Sequence, residues 1–386
     1  MALKKNKIKK ISLIKKFQEK NVKLGKIVYN KNLPTISILH TGGTLASKID
    51  YKTGGVIATF TAEDFVSMFP GIKDVANIKS NFVSNMMSED MRFIHYKKIS
   101  EVVLREIENG VNGIIIGHGT DTLALTAAAL AFMFENLPIP IILVGSQRST
   151  DRGSSDAAVN LRCAAEFITK TDFAGVAICM HENISDKTCL IMPACKTRKM
   201  HTSRRDAFKV INDKPIARVN YETNKIEFLG SYNKKSDKKL VLRNRFEDKV
   251  AIIKTYPNME PDFIDLLIKK KYKGLVLEGT GIGQAPTNIK ENLPIYDALK
   301  KFIASGGVVV LTSQCIFGKV HPYIYTNCRR LFNIGVIFGE DMLTETAFIK
   351  LAWLLSNFNK KEQVKELIGK NLRGEINEKL TKEFLE

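Results

Sequence analysis

The chain has 386 residues, 44% of them hydrophobic and 26% charged, the make-up of a folded globular protein long enough for two domains. No apolar run reaches the ~18 residues of a membrane span, and the six cysteines (163, 179, 189, 195, 315 and 328) form no C-x-x-C pair. These features argue against a membrane-spanning helix, a zinc ribbon and a disulfide-stapled secreted fold, and they point to a reducing cytoplasm.

The net charge of +19 is lopsided: residues 1–31 hold eleven lysines against Glu19 alone, so about half of the excess sits in the first 33 residues. This basic arm, 1–33, has no apolar core for a secretion signal and no arginine for a mitochondrial presequence. Ile8, Ile11, Ile14 and Phe17 would put a narrow apolar stripe on a helix. The arm reads as a solvated segment, with contact to RNA phosphates as the competing reading.

From Pro34 onward short apolar runs alternate with helical patterns. "TISILHT" is a strand, "HYKKISEVVLREIENG" an amphipathic helix closed by Gly110, and "GIIIGHG" a strand. "DTLALTAAALAFMFENL" is a helix with Asp121 as its expected N-cap. "PIILVGS", "SSDAAVNLRCAAEFI" and "GVAICM" then read as strand, helix and strand. Apolar strands separated by helices imply a mostly parallel sheet covered on both faces. "PIARVNYETNKIEFLG" is a hairpin turning at Thr223-Asn224. The polar stretch that follows marks a linker over 231–247. It divides an N-terminal catalytic domain, 34–230, from a smaller C-terminal α/β domain, 248–386. The second domain repeats the alternation in "KVAIIKTY", "EPDFIDLLIKKKY", "GLVLEG", "IYDALKKFIASG" and "GVVVLTS", and closes with a helix near "TETAFIKLAWLLSNF".

In open parallel sheets ligands bind at the carboxyl ends of strands. Two strand ends carry glycine turns rich in hydroxyls: Thr41-Gly42-Gly43-Thr44, and His118-Gly119-Thr120-Asp121-Thr122. Gly43 and Gly119 would bring backbone N–H groups to a substrate. A threonine hydroxyl is a nucleophile once a base assists it, and donors aimed at a developing oxyanion would complete an acyl-transfer site. "NMMSEDM" adds Ser88 and Glu89, and "CKTRKMHTSRRDAF" adds Lys199. Taken singly, each glycine turn is only a turn and Asp121 only a helix cap. Two such turns in successive strand–turn–helix settings, with a lysine downstream, point to chemistry.

The pair T-G-G-T and H-G-T-D-T, with S-E-D between them and K-x-x-x-S after them, resembles the two signatures of the bacterial-type L-asparaginase family over roughly residues 34–355. The resemblance implies an asparaginase-like two-domain α/β fold, an oligomer, and hydrolysis of a side-chain amide through a threonine acyl-enzyme. Thr44 would be the nucleophile and Tyr51 its hydrogen-bonding neighbour. Thr120, Asp121 and Lys199 would form a relay. Ser88, Glu89 and Asp121 would hold the substrate's α-carboxylate and α-amino group. Gln284, in "GTGIGQAP", matches a position that the family contributes from a neighbouring subunit. Holding an ordinary lysine neutral at pH 7 costs about 5 kcal/mol, so Lys199 suits one link of a relay better than an isolated base.

A narrower likeness, in "ASKIDYKTGGV", "SSDAAVNLRCA" and above all "KMHTSRRDAFKVIND", is to the GatD subfamily, the glutaminase subunits of archaeal glutamyl-tRNA(Gln) amidotransferases. It implies a GatE-like partner subunit, a homodimer within a heterotetramer, and Glu-tRNA(Gln) held mainly by the partner. It implies no cofactor or metal in this chain, with ATP and Mg2+ expected at the partner. The subfamily usually carries a small β domain ahead of its T-G-G-T segment, where this chain has 33 lysine-rich residues. A free-standing cytosolic L-asparaginase would use the same residues. RNA binding by "RKMHTSRR" competes from another class. Dinucleotide binding does not fit, because Gly279, Gly281 and Gly283 are spaced G-x-G-x-G and Pro286 follows.

Overall fold

Runs of Ile, Val and Leu too short for helices, closed by glycine or polar turns, become the strands of two sheets. The computed structural model describes residues 30–42, 48–49, 56–57, 68–148 and 154–379. Most of the basic arm therefore lies outside the described residues.

The larger sheet contains β1 (Thr35–His40), β2 (Asn77–Phe82), β3 (Gly113–Gly117), β4 (Pro140–Val144), β5 (Gly175–His181), β6 (Thr188–Pro193), β7 (Ala217–Asn220) and β8 (Ile226–Phe228). Their order across the sheet is β8-β7-β6-β5-β4-β3-β1-β2. Strands β1 to β5 run parallel, and β6, β7 and β8 add on antiparallel. The hairpin β7–β8 turns through Asn224, at φ +55°.

Helices α1 (Phe93–Glu108) and α2 (Leu123–Met133) cover one face, and α3 (Ala157–Lys170) the other. Neighbouring residues of one strand serve opposite cores: Ile114 and Ile116 join the α1–α2 side while Ile115 joins the α3 side. This is why "GIIIG" shows no polar alternation.

The smaller sheet is all parallel, in the order β9 (Val250–Lys254), β10 (Gly274–Gly279), β11 (Val308–Ser313) and β12 (Ile337–Phe338). Helices α4 (Asp262–Lys269), α5 (Leu293–Ala304) and α6 (Thr326–Asn333) pack into one core with this sheet. On its other side α7 (Thr344–Asn357), followed by α8 (Lys361–Ile368), packs against α2. The sequence LALTAAALAFM of α2 has no polar stripe, and nine of its eleven residues are buried. A helix apolar on all sides belongs inside, and α2 lies between the larger sheet and α7. The core of the first domain therefore continues unbroken through Trp353 and Ile349 into the second.

The polar stretch from 231 to 247 is tied down along its length. Lys235 N–H reaches the Asp172 carbonyl at 3.1 Å, Val241–Leu242 pairs with Phe134–Glu135, and Glu247 N–H reaches the Ala352 carbonyl at 2.9 Å.

Candidate active site

The chain leaves β1 for the sheet edge at β2, then returns to β3 on the other side of β1. Open α/β sheets bind ligands at such a reversal, beyond the carboxyl ends of the strands, here β1 and β3. Thr41-Gly42 and the turn His118–Thr122 fall there, and the loop after β2 comes in beside them.

In the first turn Thr41 acts as a staple. It is buried, and both its N–H and its hydroxyl donate to the Gly117 carbonyl, at 3.2 and 2.9 Å. This joins the end of β1 to the end of β3. Gly42 follows at φ +108°, and a Cβ there would lie 2.3 Å from the Met86 carbonyl oxygen. Only glycine lets the 84–88 loop close over the turn. Gly43, Thr44 and Tyr51, expected as donor, nucleophile and neighbour, lie outside the described residues.

In the second turn His118 is fully buried, and desolvation pushes its pKa down to about 4. A carbonyl only accepts, so the 2.7 Å contact of Nδ1 with the Gly119 oxygen puts the proton of the neutral ring on Nδ1. Nε2 then accepts from the Thr126 hydroxyl at 2.9 Å. The ring thus bolts the turn to α2. A Cβ on Gly119 would sit 2.7 Å from Cβ and 2.8 Å from Oγ of Ser88, so the absent side chain is what admits Ser88.

Ser88 is buried at the start of a 3-10 turn, Ser88–Asp90, and Glu89 is exposed on the same turn. The Thr122 hydroxyl holds the Ser88 carbonyl at 2.6 Å. The expected capping role of Asp121 is corrected: Thr122 occupies the N-cap of α2, with no side-chain cap bond. Asp121 faces Lys199 instead.

Lys199 ends the three-residue strand Thr197–Lys199, which pairs with Phe208–Val210 in a hairpin. Its ammonium donates to Thr120 Oγ1 at 2.8 Å and to Asp121 Oδ1 at 2.7 Å. The lysine side chain is 16% exposed and the aspartate 63%, so the pair spans from protein to solvent. One ammonium therefore meets a hydroxyl and a carboxylate that lie 79 and 78 residues earlier in the sequence.

Beside them lies a cavity of about 120 Å³ whose walls include Asp121, Leu125, Ala128, Arg198, Lys199 and Glu345. Its volume suits several waters or a small polar group. One Glu345 oxygen pairs with Arg198 Nε at 3.3 Å, and the other is buried without a protein partner among the described residues.

Gln284 sits half-buried in the second domain, where its carbonyl takes the Thr280 N–H at 2.8 Å and its own N–H reaches the Thr280 carbonyl at 2.9 Å. Among the described residues no hydrogen bond joins it to Thr120, Asp121 or Lys199.

The basic cluster after Lys199 is largely neutralised by its own acids. Arg204 forks onto Asp206 at 2.9 Å through both Nε and Nη2. Arg205 bonds Asp186 at 2.5 Å and the Ser154 carbonyl at 2.6 Å. Both arginines fasten loops.

Residues 35–233 match the family "Asparaginase, N-terminal", and residues 249–368 match "Glutaminase/Asparaginase C-terminal domain". The chain belongs to the asparaginase family. Among the relatives within that family, the D subunit of the glutamyl-tRNA(Gln) amidotransferase of Pyrococcus furiosus is 46% identical over 347 residues, covering 90% of this chain and 77% of that protein. Its counterpart in Methanococcus maripaludis is 43% identical over 384 residues, covering 98% and 90%. The stretch "KMHTSRRDAFKVIND" points to this branch of the asparaginase family, and these relatives occupy it.

Solved asparaginases share the fold. The thermostable L-asparaginase of Thermococcus kodakarensis superposes with a TM-score of 0.80 at 29% identity, over 89% of this chain and all of that one. L-asparaginase I of Vibrio cholerae gives 0.78 at 29% identity, over 89% and 99%. The asparaginase-like two-domain α/β architecture, with the larger sheet first, is thus shared along nearly the whole of both structures.

Proposed function

We propose that this chain is the glutamine-hydrolysing subunit of a tRNA-dependent amidotransferase. It would release ammonia for conversion of Glu-tRNA(Gln) to Gln-tRNA(Gln) by a GatE-like partner subunit. The observation that carries the reading is the contact of Lys199 with Thr120 and Asp121 at the switch point of the sheet, in a chain 46% identical to the D subunit of such an amidotransferase.

In this reading the Thr44 hydroxyl attacks the side-chain amide carbon of glutamine. Amide N–H groups at Gly43 and Gly119 face the developing oxyanion, and an acyl-enzyme forms as ammonia leaves. Water then hydrolyses the ester to glutamate. Tyr51 hydrogen-bonds the nucleophile. Thr120, with Lys199 and Asp121, moves the proton. Ser88 takes the α-carboxylate, and Glu89 and Asp121 take the α-ammonium. Gln284 of a second copy closes the site. The chain's own residues need no metal or cofactor for this, and ATP with Mg2+ would act at the partner, where glutamate on tRNA is activated. The site of action would be the cytoplasm, where charged tRNA is made.

A free-standing L-asparaginase is the second reading, favoured by the structural likeness to solved L-asparaginases. Hydrolysis of glutamine and asparagine by the chain alone, then with a GatE-like partner and glutamylated tRNA, decides between them. Strong activation on glutamine supports the amidotransferase, and partner-independent turnover of asparagine supports the alternative. A reactive glutamine analogue should label Thr44. Labelling of another residue would end the acyl-enzyme reading in either case.

A further inference from the structure

Three residues before Lys199, the Lys196 ammonium meets Asp341 of the second domain at 2.6 Å, and both side chains have no exposure at all. Taking two charges wholly out of water is costly, and an apolar pair of similar volume would hold the domains together as well or better. The pair therefore needs an explanation other than adhesion.

The surrounding contacts supply one. The Thr346 hydroxyl donates to the Cys195 carbonyl at 3.0 Å, and Glu345 pairs with Arg198 at 3.3 Å. Residues 195, 196 and 198 are thus each gripped by the short segment 341–346 that leads into α7. Lys196 and Arg198 bond the second domain, and Lys199 bonds Thr120 and Asp121 of the first.

The opposite limb of the hairpin is held as well. Ile211 N–H reaches the Lys196 carbonyl at 2.8 Å, and Asn212 donates to the Gly318 carbonyl at 3.0 Å. The second Asp341 oxygen accepts the Asn377 N–H at 3.0 Å.

A ladder of only three residue pairs specifies its register weakly, and a slip of one residue would turn Lys199 to the wrong face. A buried charge pair prevents such a slip, because a shifted strand leaves two unpaired charges inside the protein.

We propose that Lys196–Asp341 is a positioning clamp through which the C-terminal domain fixes the register of the strand that carries Lys199. The inference rests on the relay reading of Lys199. Lys196 and Asp341 are positioning residues and touch no substrate.

The test is steady-state glutamine hydrolysis by the full chain, with its partner present, in the double variant Lys196→Met/Asp341→Asn. This variant removes both charges and keeps an acceptor for Asn377. With the strand free to shift, kcat per folded molecule should fall at least about tenfold while KM stays within about threefold. Thr346→Val, which keeps every charge and removes the hydroxyl bond to Cys195 from a side chain that also lines the cavity beside Lys199, should lower kcat several-fold with the same split. If the double variant does not fold, this second variant decides.

The control is Lys350→Met/Glu375→Gln. It disrupts a second fully buried pair, also at 2.6 Å, whose hydrogen bonds among the described residues run to residues 368–373 and not to the strand. It should lower the melting temperature and leave kcat within about twofold. The clamp is overturned if the Lys196–Asp341 and Thr346 variants keep kcat within about twofold, or if the control loses as much kcat as they do. Lys199→Met in the same assay separates the two ideas: retained kcat there ends the relay reading, whatever the clamp variants do.

Discussion

Replacing Lys199 by methionine separates a structural lysine from a chemical one, because the structure assigns the two roles very different magnitudes. Methionine keeps most of the apolar stem, so packing is largely preserved. The ammonium's partner Asp121 is 63% exposed, so the aspartate left behind is hydrated, and an ion pair of that exposure is worth only about 0–1 kcal/mol. The Thr120 hydroxyl is half-buried and loses one donor. The expected destabilisation is therefore about 1 kcal/mol, a drop in melting temperature of roughly 2–4 °C. Loss of a positioned proton carrier costs about 10²- to 10⁴-fold in rate, or about 3–5 kcal/mol of activation free energy. The assay is glutamate release at saturating glutamine, alongside a thermal melt of the same preparation. A kcat within about threefold of the parent refutes the relay. A fall of more than about 10 °C in melting temperature refutes the division of roles.

Part of the pH dependence of stability follows from His118, and His40, whose pKa burial likewise lowers to about 4, adds to it with the same sign. The His118 pKa is about 4 in the fold against 6.5 as the ordinary value, so the unfolded chain binds the extra proton between those limits. The stabilisation is complete above the ordinary value and is lost as pH falls toward the folded one, with about 2 kcal/mol gone by about pH 5. Urea denaturation at about pH 7 and pH 5 should show this loss, and His118→Asn should reduce the difference between the two. Gly42→Ala combines a Cβ only 2.3 Å from backbone oxygen with φ +108°; it should cost about 3 kcal/mol or more, measured by the same denaturation. Gly119→Ala drives a methyl into Ser88, at 2.7 Å from its Cβ. It should raise KM for glutamine at least about tenfold, and adding Ser88→Gly should recover stability without recovering KM.

How much of this is legible in the sequence depends on where each residue's partners lie. The strands of the parallel core are plain, because burial on both faces leaves an unbroken apolar run such as "GIIIG" with no competing pattern. Helix α2 is legible from composition, although it starts two residues after Asp121: that residue is a good cap by type, but its partner Lys199 lies 78 residues away and wins the side chain. The hairpin of Lys199 is not legible. Its three-residue strands contain three basic residues, and the apolar periodicity that marks a strand is missing because Arg198 faces a partner in another domain. The same holds for Lys196 and Asp341, which no local pattern would place inside a protein.

Thr41 and His118 escape notice for the opposite reason. They sit inside the two recognised motifs, and their side chains turn inward to hold the turns together. A motif of this kind thus has two layers. Gly42 and Gly119 open space for the loop that carries Met86 and Ser88, while Thr41 and His118 lock the turns that the glycines make possible. Thr120 and Lys199 then meet at 2.8 Å on a frame that neither residue builds. The geometry of that contact is set by buried groups of both domains. A single-domain fragment should therefore retain the residues of the motif and lose the alignment of its lysine.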